Sequence, residues 1–396
     1  MNPGKSYIKC NHKRRKETLA GKKPTIVIVT ISDLFYEANL HRKVQTLLAN
    51  GFKVRLFCAF NPKLNKDLWA PAELIQVKLW QKPTVLRFLQ FWVKATAWLL
   101  KQKADLFISY DFLPLVALRI KSFFQENNYI YDSVELVIGL NSLVHKSVRR
   151  FFFKKIEQFG VASAQAAFTV CQSDAQALQK VYPKLNVVGF VRNIPLRQKH
   201  QRSMFLREKY DIAADKKIGL YQGMVFEGRG LIEILKACSK IDQVVLVIVG
   251  DGPLRSTLMT LAKQLKMENR VIFTGMVPFD QLAQYTYSAD FGFTIISGKG
   301  LSYYHALPNK LFEYIQAEIP VIGSNYPEIR NLIEQEQVGF VVDPQNIGQI
   351  EQAIKKILDP TVYHRLKQNL KQAAPKYSWQ EESKKYLQLI TRQLIH

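Results

Sequence analysis

The residues best suited to chemistry lie in one short run. His305-Ala-Leu-Pro308-Asn309-Lys310-Leu-Phe-Glu313 is followed by Glu318-Ile-Pro-Val-Ile-Gly-Ser324. Pro308 or Asn309 starts a helix, whose first amides lack partners inside it and favour an anion. Lys310 and Glu313 are three residues apart and share a face of that helix. A lysine for phosphate and a glutamate for sugar hydroxyls make a nucleotide-sugar clamp; seen alone, the pair also fits a surface salt bridge. Two glycine-bearing turns add to it. Leu220-Tyr-Gln-Gly223-Met-Val-Phe-Glu-Gly228-Arg229-Gly230-Leu231 reads as strand, loop, then helix from about Leu231. Loop amides, a helix N-terminus and the two-pronged Arg229 guanidinium suit a phosphate there. In Val249-Gly-Asp-Gly-Pro-Leu254 the glycines allow close approach and Asp251 is placed to cap a helix. Either turn by itself also fits a tight structural bend.

Each turn needs a strand before it and a helix after it. With 396 residues, at roughly 100 to 200 per domain, the chain has room for two domains that each bury a core. Thr25-Ile-Val-Ile-Val-Thr-Ile31 is short, β-branched and closed by Ser32-Asp33, the pattern of a strand buried on both faces. A helix near 38–50 and strands near 53–60, 106–109, 129–131, 167–170 and 186–189 follow, and 192–207 reads as linker. The alternation restarts with strands near 217–222, 244–249, 270–273, 291–295, 320–322 and 339–341, and a helical stretch from Trp379 to Leu394 closes the chain. This is the α/β pattern of two doubly wound, mostly parallel, Rossmann-like sheets. Two such domains facing each other form a central cleft, with ligands at the carboxyl ends of the strands. The expected division is a basic flexible tail over 1–23, a first domain over 24–200, a second over 201–375 and a terminal helix over 376–396 packing back on the first.

Charge separates the two halves. Lys and Arg total 56 against 32 Asp and Glu, a net +24. Residues 1–205 hold 33 basic and 12 acidic side chains, a net +21, which leaves +3 for the rest. The first half therefore faces something anionic: nucleic acid, a membrane surface or a phosphorylated ligand. Residues 85–100 place Arg87, Gln90 and Lys94 on one narrow polar stripe, with Lys101 just beyond, opposite a wide aromatic face. Lys146-Ser-Val-Arg-Arg-Phe-Phe-Phe-Lys-Lys155 mixes cations with three phenylalanines. Both segments suit docking on anionic lipid, and both also suit amphipathic helices packed on a sheet. None of the RRM, KH or zinc-module patterns occurs, so no nucleic-acid partner is expected. The N-terminus does not read as a signal peptide, and no run of 18 uncharged apolar residues exists to span a bilayer. Cys10, Cys58, Cys171 and Cys238 lie far apart with no CxxC pair, as buried free thiols of a reducing compartment do. No cluster has metal-ligand spacing, so no metal is expected.

Together these motifs resemble the retaining GT-B glycosyltransferases, specifically glycosyltransferase family 4, over nearly the whole chain. In the second domain the resemblance rests on Tyr221-Gln-Gly with Arg229-Gly230, on Val249-Gly-Asp-Gly-Pro, on Val271-Ile-Phe-Thr-Gly275, on Pro308-Asn-Lys-Leu-Phe-Glu-Tyr314 with Pro320-Val-Ile, and on Pro327-Glu328 with Gly339-Phe-Val-Val-Asp-Pro344. In the first it rests more loosely on Tyr131-Asp-Ser-Val-Glu135, on 162–173 and on Val191-Arg-Asn-Ile-Pro195. Order and spacing carry the match, not any single motif. The resemblance implies a GT-B fold in which Arg229 and Lys310 contact the donor diphosphate and Glu313 the ribose hydroxyls. Gly223 and Asn309 complete the donor-binding set, and Arg229, Lys310 and His305 form the catalytic one. Cations and helix dipoles placed where the leaving diphosphate gathers charge lower the barrier without a metal.

Three positions depart from the family. His305 stands where members often have a glutamate, eight residues before the ribose-binding one. Val134 stands where relatives commonly carry a histidine facing the reacting sugar. Met224 follows Gly223 where a basic residue is usual. The implied activity is retaining, metal-independent hexosyl transfer from a nucleotide sugar, a substrate and not a cofactor, to a surface glycan or lipid-linked acceptor. The implied location is cytoplasmic, peripheral on the inner face of the cytoplasmic membrane. A non-hydrolysing nucleotide-sugar epimerase shares the architecture, and a degenerate sugar-nucleotide-binding partner subunit is the non-catalytic alternative, motivated by His305 and Val134.

Overall fold

A computed structural model of the protein describes residues 23–80, 84–139, 147–197, 203–298 and 300–395. The expected basic tail, Cys10, Lys146 and the middle of the stretch read as linker lie outside them. The chain folds as two compact units: one runs up to Arg192 and resumes at Glu382, and the other spans Asn193–Glu381. The change of unit thus comes before 200. Residues just past it already pair within the second unit, since the Trp379 N–H donates to the Pro195 carbonyl at 2.9 Å.

The first unit alternates strands and helices: β1 (Thr25–Val29), α1 (Ala38–Ala49), β2 (Lys53–Ala59), β3 (Glu73–Val77), α2 (Thr84–Leu99), β4 (Leu106–Tyr110), α3 (Leu115–Ser122), β5 (Tyr129–Asp132), α4 (Ser147–Val161), β6 (Ala166–Thr169), α5 (Gln172–Val181) and β7 (Val187–Phe190). Its seven strands are parallel in the order β3-β2-β1-β4-β5-β6-β7. β3 was not foreseen. It is an edge strand, Glu-Leu-Ile-Gln-Val, with no fully buried side chain, so it lacks the continuous apolar run that marks a central parallel strand. Phe57, Phe91, Phe107, Tyr129 and Tyr131 build one layer of the core between the sheet and its helices.

The second unit repeats the scheme: α6 (Phe205–Tyr210), β8 (Lys217–Gln222), α7 (Leu231–Cys238), β9 (Val244–Val249), α8 (Arg255–Gln264), β10 (Val271–Gly275), α9 (Phe279–Ser288), β11 (Phe291–Thr294), α10 (Leu301–Tyr304), α11 (Asn309–Gln316), β12 (Val321–Ser324), α12 (Pro327–Glu336), β13 (Gly339–Val342), α13 (Ile347–Leu358) and α14 (Pro360–Ala373). Its six parallel strands run β10-β9-β8-β11-β12-β13. β9 shows why an unbroken apolar run marks such a strand. Val245, Val247 and Val249 face one core, while Val244, Leu246 and Ile248 face the other. The last helix, α15 (Trp379–Ile395), starts in this unit, and its residues from Glu382 belong to the first. There Tyr386 packs on Phe168, ring centroids 6.1 Å apart. Cys58, Cys171 and Cys238 are buried and, among the described residues, form no disulfide; burial pushes the thiols of Cys58 and Cys238 up to about 12.

One expectation about the first unit is corrected. On α2 the polar stripe is not the outer face: Arg87, Gln90 and Lys94 are half-buried, and Lys94 donates to the Lys78 carbonyl at 2.8 Å. Phe91, Ala95 and Leu99 face the core, and Val85, Leu86, Leu89 and Val93 project into solvent. Gln90 and Lys94 turn inward because the chain after β3 offers them backbone partners; the Trp80 N–H donates to Gln90 Oε1 at 2.8 Å.

Candidate active site

Strand order in the second sheet reverses between β8 and its neighbour β11. At such a switch point the outgoing loops diverge and leave a crevice at the carboxyl ends of the strands. Gly223 stands there, just after β8, with φ +130°, a conformation L side chains avoid. The next loop comes so close that a Cβ on Gly250 would lie 2.0 Å from the Gly223 carbonyl oxygen, so only glycine fits at 250. The Gly223 N–H donates to the Val249 carbonyl at 2.9 Å and the Val225 N–H to the Asp251 carbonyl at 3.0 Å, joining the two turns. Asp251 is not the helix cap expected of it. α8 starts after Leu254, and the Asp251 carboxylate instead takes the Gly252 N–H at 2.8 Å and Arg255 at 3.0 Å. The close approach of the loops leaves three residues between Asp251 and the helix, so it closes the loop instead.

α11 brings Lys310 and Glu313 to the same crevice. It begins at Asn309, which is exposed, with Pro308 at its N-cap and no side chain capping its amides. Tyr314 anchors it, its hydroxyl within reach of the carbonyls of Leu220 on β8 and Phe293 on β11 at 3.2 and 3.3 Å. Lys310 is 8% exposed, and its ammonium lies 3.7 Å from the centroid of the Tyr221 ring, beside Gly223. Among the described residues that ammonium has no hydrogen-bond partner. Burial first, and then the charge of Arg229, push its pKa well below that of an ordinary lysine, against the opposing pull of Glu313. A buried unpaired cation is costly, and an anion entering beside Gly223 would remove the cost.

Glu313 is oriented through a relay. Thr286 Oγ1 donates to Gln222 Oε1 at 2.8 Å, which leaves the Gln222 amide nitrogen to donate to Glu313 Oε2. A carboxylate fixed in this way can accept bonds from a diol. Arg229 sits between Gly228 and Gly230, half-buried, with its guanidinium 4.9 Å from the Tyr303 ring centroid. His305 ends α10, half-buried; its ring lies 5.9 Å from Tyr304, which in turn packs 5.3 Å from Tyr326. In the first unit, Val134 follows β5 half-buried, its N–H donating to the Asp132 carbonyl at 3.1 Å. Of the residues expected in the site, Gly223, Arg229, Lys310 and Glu313 are brought together. Sequence reasoning assigned no role to Tyr221, Gln222, Thr286 or Tyr303, which hold them. The polar Gln222 at the end of an apolar strand was the available signal for the relay; Thr286 and Tyr303 reach the site only through folding.

Residues 203–377 match the family model of glycosyl transferases, group 1. The match spans less than half of the chain. All six residues expected in the site, Gly223, Arg229, His305, Asn309, Lys310 and Glu313, fall within the matched residues. The chain is 30% identical over 140 residues to the alpha-monoglucosyldiacylglycerol synthase of Streptococcus pneumoniae, covering 34% of this chain and 30% of that one. It spans only 30% to 54% of the length of curated relatives of this kind. Solved structures show the GT-B fold over almost the whole chain. The sucrose-phosphate synthase of Thermosynechococcus elongatus superposes with a TM-score of 0.77 at 17% identity, over 93% of this chain and 99% of that one. Anabaena HepE in complex with UDP superposes with a TM-score of 0.75 at 14% identity, over 93% and 100%. Among the described residues no helix is long and apolar enough to cross a membrane.

Proposed function

We propose that the protein is a retaining glycosyltransferase of family 4 that moves a sugar from a nucleotide-sugar donor to a surface glycan or lipid-linked acceptor. The observation that carries this reading is Lys310: an ammonium buried with no hydrogen-bond partner among the described residues, at the switch point of the second sheet and beside the glycine turn that follows β8. The donor diphosphate would pair with Lys310 and Arg229 and lie over the uncapped start of α11, with Glu313 on the ribose hydroxyls and His305 toward the sugar. Negative charge gathering on the leaving diphosphate is then met by fixed cations, which stabilises the transition state more than the ground state. Same-face attack, with a diphosphate oxygen receiving the acceptor proton, gives retention. Anabaena HepE is in complex with UDP, which supports a uridine nucleotide as the first donor to try.

Heat stabilisation by UDP and nucleotide sugars tests this, because a ligand raises stability by mass action. Arg229→Ala and Glu313→Ala are each expected to weaken donor binding about tenfold or more, since a charged hydrogen bond contributes about 1.5 to 3 kcal/mol. Turnover is expected to persist in EDTA, as Lys310 and Arg229 supply the positive charge. Unchanged donor affinity in both variants overturns the site.

We further place the enzyme in the cytoplasm, peripheral on an anionic inner membrane face. α2 packs on α3 and α3 on α4. On α4, Val148, Phe151 and Phe152 are exposed beside Arg149, Arg150, Lys154 and Lys155, and the apolar edge of α2 is exposed too. Each basic side chain near an anionic surface contributes about 1 kcal/mol, and the phenylalanines add burial in the acyl boundary. Flotation with phosphatidylcholine–phosphatidylglycerol vesicles is expected to fall with salt and to be lost in Phe151→Ser/Phe152→Ser. Binding indifferent to lipid charge, salt and both phenylalanines overturns this placement.

A further inference from the structure

We propose that Asp111 is an acceptor-binding carboxylate of the first unit, accepting a hydrogen bond from a hydroxyl of the acceptor. The inference rests on the glycosyltransferase reading above and assigns a residue to its acceptor side. Its first support is position. In the first sheet, strand order reverses between β1 and β4, and Asp111 immediately follows β4, at the carboxyl end of a strand bordering that switch point. Its second support is backbone conformation. Asp111 has φ +78°, a region that disfavours every residue with a side chain. The fold enforces it: the Asp111 N–H donates to the Asp132 carbonyl at 3.0 Å, and Ser109 Oγ donates to the Asp111 carbonyl at 2.8 Å. Its third support is an open valence. Asp111 Oδ1 accepts from the Phe112 N–H at 2.7 Å, and among the described residues no other hydrogen bond or ion pair reaches the carboxyl, although the residue as a whole is half-buried.

The surroundings set the chemistry. The charges that bear on Asp111 are Glu37 ahead of α1, Glu135 beyond β5 and Glu157 on α4. Glu157 is itself buried, held by the hydroxyls of Tyr131 and Tyr182, each at 2.8 Å. Glu37 accepts from the Tyr110 hydroxyl at 3.0 Å, and Lys43 is taken by Asp132 at 2.6 Å. Burial, followed by these three carboxylates, pushes the Asp111 carboxyl up to about 7, against the Phe112 N–H that lowers it. A carboxyl raised in the folded state costs stability as pH climbs from about 4 to 7. Strain and charge both work against the fold here, which is the signature of a group kept for a ligand. Once ionised, such a carboxylate is a better hydrogen-bond acceptor for a sugar or lipid hydroxyl than an ordinary aspartate.

The test uses the full chain, UDP-glucose, UDP-N-acetylglucosamine and GDP-mannose as donors, and dodecyl glycosides or dioleoylglycerol in phosphatidylcholine–phosphatidylglycerol vesicles as acceptors. Wild-type kcat/KM for the acceptor is expected to rise about tenfold from pH 6 to 8, as a group with a pKa near 7 ionises. Asp111→Asn should lower it at least tenfold and flatten the profile, while UDP raises its Tm as in the wild type. Asp111→Gly, free of the backbone strain, should melt no lower than the wild type and be as impaired. A wild-type enzyme that transfers while Asp111→Asn stays within twofold with the same profile overturns this inference alone. So does impairment accompanied by lost UDP stabilisation or by a large fall in the Tm of Asp111→Gly, which marks a structural role. A wild type that binds no nucleotide sugar and transfers to no acceptor overturns the glycosyltransferase reading, and this inference with it.

Discussion

Replacing Lys310 with methionine is expected to abolish donor binding and turnover and, at the same time, to raise the melting temperature of the ligand-free protein. The two effects have one cause. Lys310 is buried, stacked on Tyr221 and, among the described residues, without a hydrogen-bond partner. The cation–π contact offsets only about 0.5 to 2 kcal/mol of the cost of desolvating an ammonium. Methionine fills a similar volume without that cost, so a gain of about 1 to 2 kcal/mol follows, or roughly 3 to 6 °C in Tm. Two lost charged bonds to a diphosphate, at about 1.5 to 3 kcal/mol each, weaken the donor by roughly 10² to 10⁴.

The pH dependence follows in sign. Since the folded pKa of Lys310 lies well below 10.5, the unfolded chain binds more protons between the two values. The contribution of this group to stability therefore rises with pH across that window. Donor binding needs the ammonium and falls across the same window. Lys310→Met should lose both dependences. Thermal melts with and without UDP, from pH 7 to 10, read both. A variant that melts lower than the wild type yet still responds to UDP would show that Lys310 supports the fold and not the ligand.

The second large effect concerns stability. Lys43→Met is expected to destabilise the first unit by about 3 to 5 kcal/mol, because it leaves Asp132 buried and uncompensated. Lys43 and Asp132 are each 1% exposed and 2.6 Å apart. The ammonium also lies 5.2 to 5.9 Å from the ring centroids of Phe168, Tyr110 and Tyr386. The other Asp132 oxygen, Oδ1, is buried with no hydrogen-bond partner among the described residues, so Lys43 is what the carboxylate relies on. The double variant Lys43→Met/Asp132→Leu should recover most of the loss, since an apolar pair of similar volume needs no compensation. Urea unfolding followed in both variants decides it: a loss below about 1 kcal/mol in the single variant, or no recovery in the double, refutes this account. The arrangement bears on function because Asp132 also fixes the backbone of Asp111 through its carbonyl.

Apolar patterning was enough to mark the parallel strands that are buried on both faces. β9, Val244–Val249, is one unbroken apolar run because each face meets its own core. The sequence also placed Lys310 and Glu313 on one helix, since three residues along a helix return to the same face. It could not supply β3, an edge strand whose mixed side chains need no second core. It left Asp251 as a cap because capping is read from local spacing, whereas the Gly250 approach to Gly223 is a contact between two loops.

The relay from Thr286 through Gln222 to Glu313 joins residues 64 and 91 positions apart, and no local pattern predicts such a contact. The stripe on α2 turned inward for the same reason, its partners lying beyond β3. Asp111 carried no motif at all. Its strain and its carboxylate neighbours exist only once β4, β5, α1 and α4 are packed together. Local periodicity thus set the elements and their faces, while burial, charge state and hydrogen-bond partners at the site came from long-range packing, which decides what each functional group meets.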